Sequence, residues 1–105
     1  MFLFVLAAAA TICPFPTDQW TRMATKHDLP PEVIQVFGDI AEKGEPFQVG
    51  DALPSGPPRP LSRFVAAQGR GCDLILNYEH GGRGHSYPTA RLRFQAGHWV
   101  MVSRG

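Results

Sequence analysis

A segment rich in proline and glycine separates two parts of this chain whose apolar residues follow different periods. The segment GEPFQVGDALPSGPPRP, residues 44–60, contains five prolines and three glycines. Proline lacks a backbone donor and glycine loses the most freedom on folding, so we expect a loop there. Before the segment, apolar residues recur with the helical period; from Leu61 onward they alternate with polar residues, which is typical of strands. This division predicts a single small α+β domain over residues 11–105.

The part before the loop has the spacing of one or two helices. Thr17 or Asp18 can cap a first short helix. Its apolar spacing of i, i+3, i+4 and i+7 is carried by Trp20, Met23, Ala24 and His27. Pro31 suits the first turn of a second helix over residues 31–43, which Gly44 would end. The apolar stripe of this second helix, which we expect in the core, consists of Val33, Val36, Phe37, Ile40 and Ala41.

The part after the loop predicts a four-stranded antiparallel β-meander with the N-terminal helices packed on one of its faces. The strands are predicted at residues 61–68, 72–80, 89–95 and 98–103, with glycines at the turns. Alternation points one set of side chains toward the helices: Cys72, Leu74, Leu76, Tyr78, His80, Ala90, Leu92 and Phe94. The outward set is Asp73, Ile75, Asn77, Glu79, Arg91 and Arg93.

The first ten residues have the features of a secretory signal peptide. A short apolar run, residues 2–8, is followed by the small residues Ala8, Ala9 and Ala10, as signal peptidase requires. The run is too short to span a membrane, so no stable membrane insertion is expected. No Lys or Arg precedes the run, although signal peptides usually begin with a positively charged segment. The alternative to a signal peptide is a buried N-terminal strand or helix of a cytosolic domain. We therefore expect a periplasmic or secreted protein whose mature domain begins near Thr11.

The two cysteines, Cys13 and Cys72, are expected to form one disulfide if the chain is exported. Such a bridge closes a loop of about 60 residues and stabilises by about 4 kcal/mol in the chain-entropy model. The alternative, in a cytosolic protein, is a pair of buried thiols. No Cys/His spacing in the sequence is typical of a zinc site.

The connection between the second and third predicted strands, YEHGGRGHSY over residues 78–87, is a candidate binding loop. Glycine-rich turns can direct successive backbone N–H groups at an anion. The spacing is not that of a phosphate-binding P-loop, and the histidines have no metal-site spacing, so no metal or other cofactor is expected. The candidate binding residues of the loop are His80, Arg83, His85 and Tyr87. The alternative is a plain hairpin that needs its glycines for the turn.

The charges are distributed unevenly along the chain. Residues 1–58 contain three Lys or Arg and seven Asp or Glu, whereas residues 59–105 contain seven Arg and two carboxylates. Arginine suits bidentate recognition of carboxylates and phosphates, so we add the outward Arg91 and Arg93 to the binding residues. The leading hypothesis is a small exported binding protein of the inhibitor, immunity or accessory type. Its partner would be another protein or an anionic ligand, and DNA is not expected.

Three stretches resemble the small secreted microbial ribonucleases of the barnase type. LPPEVIQVFGDIAEKGEPF is similar to a helix and Gly-Pro-Phe segment of that family, GHWVMV to its final strand, and LNYEHGGRG to its Asn-Tyr…Gly…Arg stretch. The family's guanine-binding Asp-Gly…Asn-Arg-Glu segment is missing. The resemblance implies, as the alternative function, RNA cleavage by general acid–base transphosphorylation. It implies Glu79 or Asp73 as the base, Arg83 or Arg91 as the phosphate clamp and His98 as the acid.

Overall fold

A computed structural model describes residues 12–49, 59–82 and 84–105 of the chain. It shows a five-stranded antiparallel sheet, with strands in sequence order across the sheet, and one α-helix. The α+β class and the antiparallel meander are thus as predicted from the sequence. The elements in chain order are β1 (Thr21–Met23), α1 (Pro31–Phe37), β2 (Ser62–Arg70), β3 (Asp73–His80), β4 (Thr89–Gln95) and β5 (His98–Arg104).

The additional strand, β1, lies where the first helix was predicted, and that prediction is wrong. Thr21 pairs with Gly69 and Met23 with Ala67, so the segment adds a short edge strand to β2. Of the described residues before α1, only those of a 3-10 turn at Lys26–Asp28 are helical. The apolar spacing alone could not stabilise a helix this short, because nucleation is costly. Pairing with β2 satisfies the backbone and still buries Met23, which is 4% exposed.

Helix α1 begins at Pro31 as predicted but is shorter than the predicted 31–43. It ends at Phe37, and the next residue, Gly38, has a φ of 102°, a conformation that favours glycine. The stripe beyond the helix is buried nevertheless, since Ile40 and Ala41 are 2% and 7% exposed. Ala41 reaches the core through extended chain: its N–H donates to Ser62 O at 2.8 Å, and Phe64 N–H donates to Ala41 O at 2.8 Å.

The core lies between α1 and one face of the sheet. Most of the side chains predicted inward on β3 and β4 are buried there, with Phe94 packed at the margin, whereas His80 at the end of β3 is exposed. The ring of Phe37 on α1 packs edge-on against Tyr78 on β3, with centroids 4.8 Å apart. Burying a large apolar side chain stabilises by about 1.5–3 kcal/mol. The opposite face of the sheet, which we call the outer face, presents Ile75 and Asn77 and is not covered by α1.

The predicted disulfide between Cys13 and Cys72 is formed, with the two Cα atoms 4.6 Å apart. Beside it, Phe15 N–H donates to Gly71 O at 3.2 Å and Gly71 N–H donates to Pro16 O at 2.9 Å. The N-terminal segment is therefore fastened to the turn between β2 and β3. The predicted signal peptide, residues 1–10, lies outside the described residues, as do residues 50–58 of the loop. In the described ranges, no helix is long and apolar enough to cross a membrane.

Candidate functional site

A buried carboxylate stands at one end of the outer face. Glu79 is 8% exposed, near the end of β3, and the sheet register places it opposite Arg63 on β2. Arg63 Nε donates to Glu79 Oε2 at 2.6 Å. Arg63 also lies 4.3 Å from the centroid of the Phe47 ring, which covers one side of the guanidinium. The ion pair is thus shielded from water. The register of β2 and β3 places the two side chains opposite each other.

The loop after β3 brings a histidine to the same carboxylate and stacks a tyrosine on that histidine. The loop is closed by two hydrogen bonds between His80 and Ser86, with N–O distances of 2.9 and 3.0 Å. His85 Nε2 consequently lies 3.1 Å from Glu79 Oε1. The Tyr87 ring stacks on His85 with centroids 5.0 Å apart. We call Arg63, Glu79, His85 and Tyr87 the carboxylate cluster.

Close approach of two loops fixes this arrangement. Gly81 N–H donates to Leu61 O at 2.8 Å, and Gly82 N–H donates to Gln48 O at 3.0 Å. A side chain at Gly81 would collide with the Gln48 carbonyl, so glycine is required at this position. Gly81 therefore has a packing role. Arg83 lies outside the described residues.

The electrostatics of the cluster keep Glu79 ionised. The hydrogen bond from Arg63 is the largest cause that lowers the pKa of Glu79, and the contact with His85 lowers it further, against the opposing effect of burial. In turn, the hydrogen bond to Glu79 raises the pKa of Arg63. At neutral pH the cluster is a carboxylate with one oxygen facing a guanidinium and the other facing an imidazole. Such a group can accept a proton from a ligand only in competition with Arg63.

A second group of charges occupies the rest of the outer face. A shallow concavity of about 380 Å³ there is lined by Arg70, Arg91, Arg93 and Asp73, among others. Arg22 and Arg91 lie in one row of paired residues that crosses the sheet. The two residues between them in this row are Gln68 on β2 and Ile75 on β3. Arg93 Nε donates to Asp73 Oδ1 at 3.1 Å. We call Arg22, Arg70, Arg91 and Arg93 the arginine face.

The arginine face has more cations than carboxylates to pair with them. Within the described part of the chain, Arg22, Arg70 and Arg91 contact no carboxylate, and Asp73 is already paired with Arg93. Two further concavities, which share Lys43 and Val65, lie along the same face between Arg22 and Glu79. The arginine face and the carboxylate cluster therefore belong to one open, cationic surface.

The structure does not bring together Glu79, Arg91 and His98, the residues implied by the ribonuclease resemblance. Arg91 pairs with Ile75, four residues from Glu79 along β3, which is about 13 Å at the usual rise of a strand. His98 lies at the far end of β5, where its Nδ1 is 3.0 Å from Glu32 Oε2 on α1. His85 is the histidine beside Glu79. His80, predicted inward, is exposed.

Sequence reasoning missed several residues of this surface, and for different reasons. Arg63 was missed because it lies opposite Glu79 only through a register shift in β2, and without that shift the hairpin would place it opposite His80. Trp20 and Arg22 were assigned to a helix, which hid their position on the sheet. Phe47 lies in the Pro/Gly-rich loop, where no periodicity predicts its contact with Arg63.

The chemistry available to the surface is anion binding and proton transfer. In residues 12–49, 59–82 and 84–105, no three His, Cys, Asp or Glu side chains come together as metal ligands. Guanidinium groups along the outer face can bind phosphate, sulfate or carboxylate oxygens. Glu79 and His85 can exchange protons with a ligand bound beside Arg63. Comparison with protein-family models, with curated proteins and with solved structures finds no match to this chain.

Proposed function

We propose that the protein binds an anionic partner on the outer face of its sheet, through the arginine face. The observation that carries the proposal is the excess of guanidinium groups: Arg22, Arg70 and Arg91 contact no carboxylate of the described chain. Three unpaired cations on one sheet face favour binding of an oxyanion because a partner can neutralise them together. His85 and Tyr87 close one end of this surface, so the proposal retains part of the predicted binding loop.

The chemistry shared by the candidate partners is a series of oxyanions, presented as phosphates, sulfates or carboxylates. The probes are inorganic polyphosphate, a heparin oligosaccharide and polyglutamate, each fluorescein-labelled and measured by anisotropy at two salt concentrations. We expect at least one probe to bind and Arg91→Gln to weaken it. The logarithmic salt slope should also fall by about 1 for each contacting cation that is removed.

A charge-matched control separates a specific face from a general cationic attraction. Arg104→Gln removes the same charge, but Arg104 lies over the Phe37 ring of α1, on the other side of the sheet. We expect this variant to bind the probes nearly as the unmutated protein does. Absence of binding to all three probes at low salt, or equal losses in Arg91→Gln and Arg104→Gln, would contradict the proposal.

Export of the protein is a further part of this proposal. The Cys13–Cys72 disulfide supports it, since structural disulfides persist in oxidising compartments. N-terminal sequencing of protein recovered from culture medium or periplasm tests it. We expect a mature chain that begins near Thr11, and recovery of the full-length chain only from the cytosol would contradict export.

A second candidate function, RNA cleavage, is favoured by one specific observation: the contact of Glu79 with both Arg63 and His85. In this hypothesis Glu79 would take the proton of the 2′-hydroxyl. Arg63 would neutralise the phosphate, and protonated His85 would supply the proton to the leaving oxygen. The hypothesis replaces His98 by His85 as the acid, because His98 contacts Glu32 at the other end of the sheet.

Two histidine variants test the cleavage hypothesis. His85→Ala should lower cleavage of single-stranded RNA by about 10²–10⁴-fold, the usual contribution of a general acid. His98→Ala should leave most activity. Glu79→Gln, purified in parallel, controls for contaminating nucleases. Equal cleavage by the unmutated protein and Glu79→Gln would exclude this function, while leaving anion binding untouched.

A further inference from the structure

An aromatic ring lies against one of the unpaired arginines of the outer face. The guanidinium carbon of Arg70 is 4.8 Å from the centroid of the Trp20 ring, and both residues line the concavity that contains Arg91 and Arg93. Trp20 is 39% exposed, although it is a large apolar residue. The core lies on the other side of the sheet, so packing of the core does not explain the exposure of Trp20 or its contact with Arg70.

We infer that Trp20 is a positioning residue for anion binding, which orients Arg70, and that the Cys13–Cys72 disulfide holds Trp20 in place. The inference rests on the proposed anion-binding function and specifies how the site is built. The ligand group it concerns is an oxyanion that can accept two parallel hydrogen bonds, as a phosphate, a sulfate or a carboxylate does.

The physical reason lies in the geometry of the guanidinium group. A guanidinium that stacks on an aromatic ring keeps its N–H donors in its own plane, where an oxyanion can accept two of them. An unstacked arginine would lose several side-chain rotations on binding, which costs affinity. The contact with the Trp20 ring removes part of that cost before the ligand arrives.

The disulfide controls the position of Trp20 because the segment between them is short and held at both ends. Beside Cys13, Phe15 packs over Gly69, at a place where any side chain on Gly69 would collide with the Phe15 ring. At the other end, Trp20 directly precedes β1, a strand of only three residues. So short an edge strand is marginal by itself. The covalent link at Cys72 therefore limits how far Trp20 can move from Arg70.

The experiment measures anisotropy of labelled inorganic polyphosphate and of the labelled heparin oligosaccharide with five proteins: unmutated, Trp20→Ala, Trp20→Phe, Arg70→Ala and the double variant Trp20→Ala/Arg70→Ala. We expect Trp20→Ala to raise Kd by about two- to five-fold, the range of an exposed cation–π contact. Trp20→Phe retains a ring and should stay near the unmutated value. Arg70→Ala should raise Kd by about tenfold. Adding Trp20→Ala to it should cause no further loss.

Reduction supplies the second arm of the test. A dithiol such as dithiothreitol converts the bridge to two thiols and is itself oxidised to a cyclic disulfide. Reduction should weaken binding by the unmutated protein about as much as Trp20→Ala does, and should change Trp20→Ala little. Far-UV circular dichroism must show that the reduced sheet is intact. If the reduced protein unfolds, the Trp20 and Arg70 variants in the oxidised state decide the inference.

The outcomes distinguish this inference from the function on which it rests. If the oxidised, unmutated protein binds neither probe, both are overturned. If it binds but Trp20→Ala binds equally well, anion binding stands and the role of Trp20 is wrong. The same conclusion follows if Trp20→Ala and Arg70→Ala weaken binding additively, since a positioning residue acts only through its partner. If the reduced protein stays folded and binds as tightly as the oxidised one, the role assigned to the disulfide is wrong.

Discussion

Replacing Arg63 by methionine tests whether the carboxylate cluster stabilises the fold. Methionine keeps apolar packing against Phe47 but leaves Glu79 without its guanidinium. The side chains of Arg63 and Glu79 are 27% and 10% exposed, so this pair is shielded more than a surface ion pair. A charge-assisted hydrogen bond in such surroundings is worth about 1.5–3 kcal/mol. We expect the free energy of unfolding at pH 7 to fall by about 2 kcal/mol, which lowers Tm by about 10 °C.

The pH dependence of this loss has a definite sign. Arg63 lowers the pKa of Glu79 in the folded protein below its usual range. The pair therefore stabilises the fold above the unfolded pKa of about 4.3, and this contribution is lost as pH falls through the lower folded value. The difference between the unmutated protein and Arg63→Met should be largest near neutral pH and should shrink below about pH 4. Urea denaturation followed by circular dichroism from pH 3 to 8 measures it.

Arg93→Met is the matched control for this prediction. Arg93 pairs with Asp73 on the same sheet, but the two side chains are 54% and 57% exposed. Exposed pairs contribute about 0–1 kcal/mol, so the control should lose little stability. Equal losses in Arg63→Met and Arg93→Met, or a loss in Arg63→Met that stays constant down to pH 3, would refute the argument from burial.

Three further predictions concern other parts of the fold. Cys13→Ser/Cys72→Ser should lower the free energy of unfolding by about 4 kcal/mol, and thiol titration of the denatured, unmutated protein should find no free thiol. Gly81→Ala should lower the free energy of unfolding in urea by about 2 kcal/mol or more, because the added side chain meets the Gln48 carbonyl. An unchanged free energy of unfolding would show that the two loops can move apart at little cost in stability. Glu32→Ala should speed hydrogen exchange at the backbone N–H of Trp99, which donates to Glu32 Oε1 at 2.6 Å. Exchange at the buried Leu92 should stay slow. Unchanged exchange at Trp99 would contradict a protective role for this hydrogen bond.

The predictable part of the fold was the part set by local pattern. Alternation from Leu61 onward located β2 to β5, and Pro31 located the start of α1. Strand β1 could not be found in this way, because Trp20 and Met23 fit a helical spacing, whereas Thr21–Met23 is stabilised by pairing with β2, more than 40 residues later. Pairing between strands that are distant in sequence cannot be predicted from a short window of sequence.

The candidate site was predictable to a lesser degree, because it depends on register and loop closure. Glu79, His85, Tyr87, Arg91 and Arg93 were identified from their types and their location. The contact of Glu79 with Arg63 requires the β2–β3 register, which contains a shift between Phe64 and Ala66. The choice of His85 over His98 as its neighbour requires the path of the loop. Residue type alone does not contain that information.

The two candidate functions use different ends of one surface, so salt and pH separate them. Binding through Arg22, Arg70 and Arg91 depends on counterion release and should weaken steeply with salt. It should change little between pH 6 and 8, since guanidinium groups do not titrate there. Cleavage through Glu79 and His85 needs one group to accept and one to donate a proton, so its rate should have a bell-shaped pH profile. A protein that binds polyanions with a steep salt slope and a flat pH profile, and leaves RNA intact, is a binding protein whose carboxylate cluster is structural.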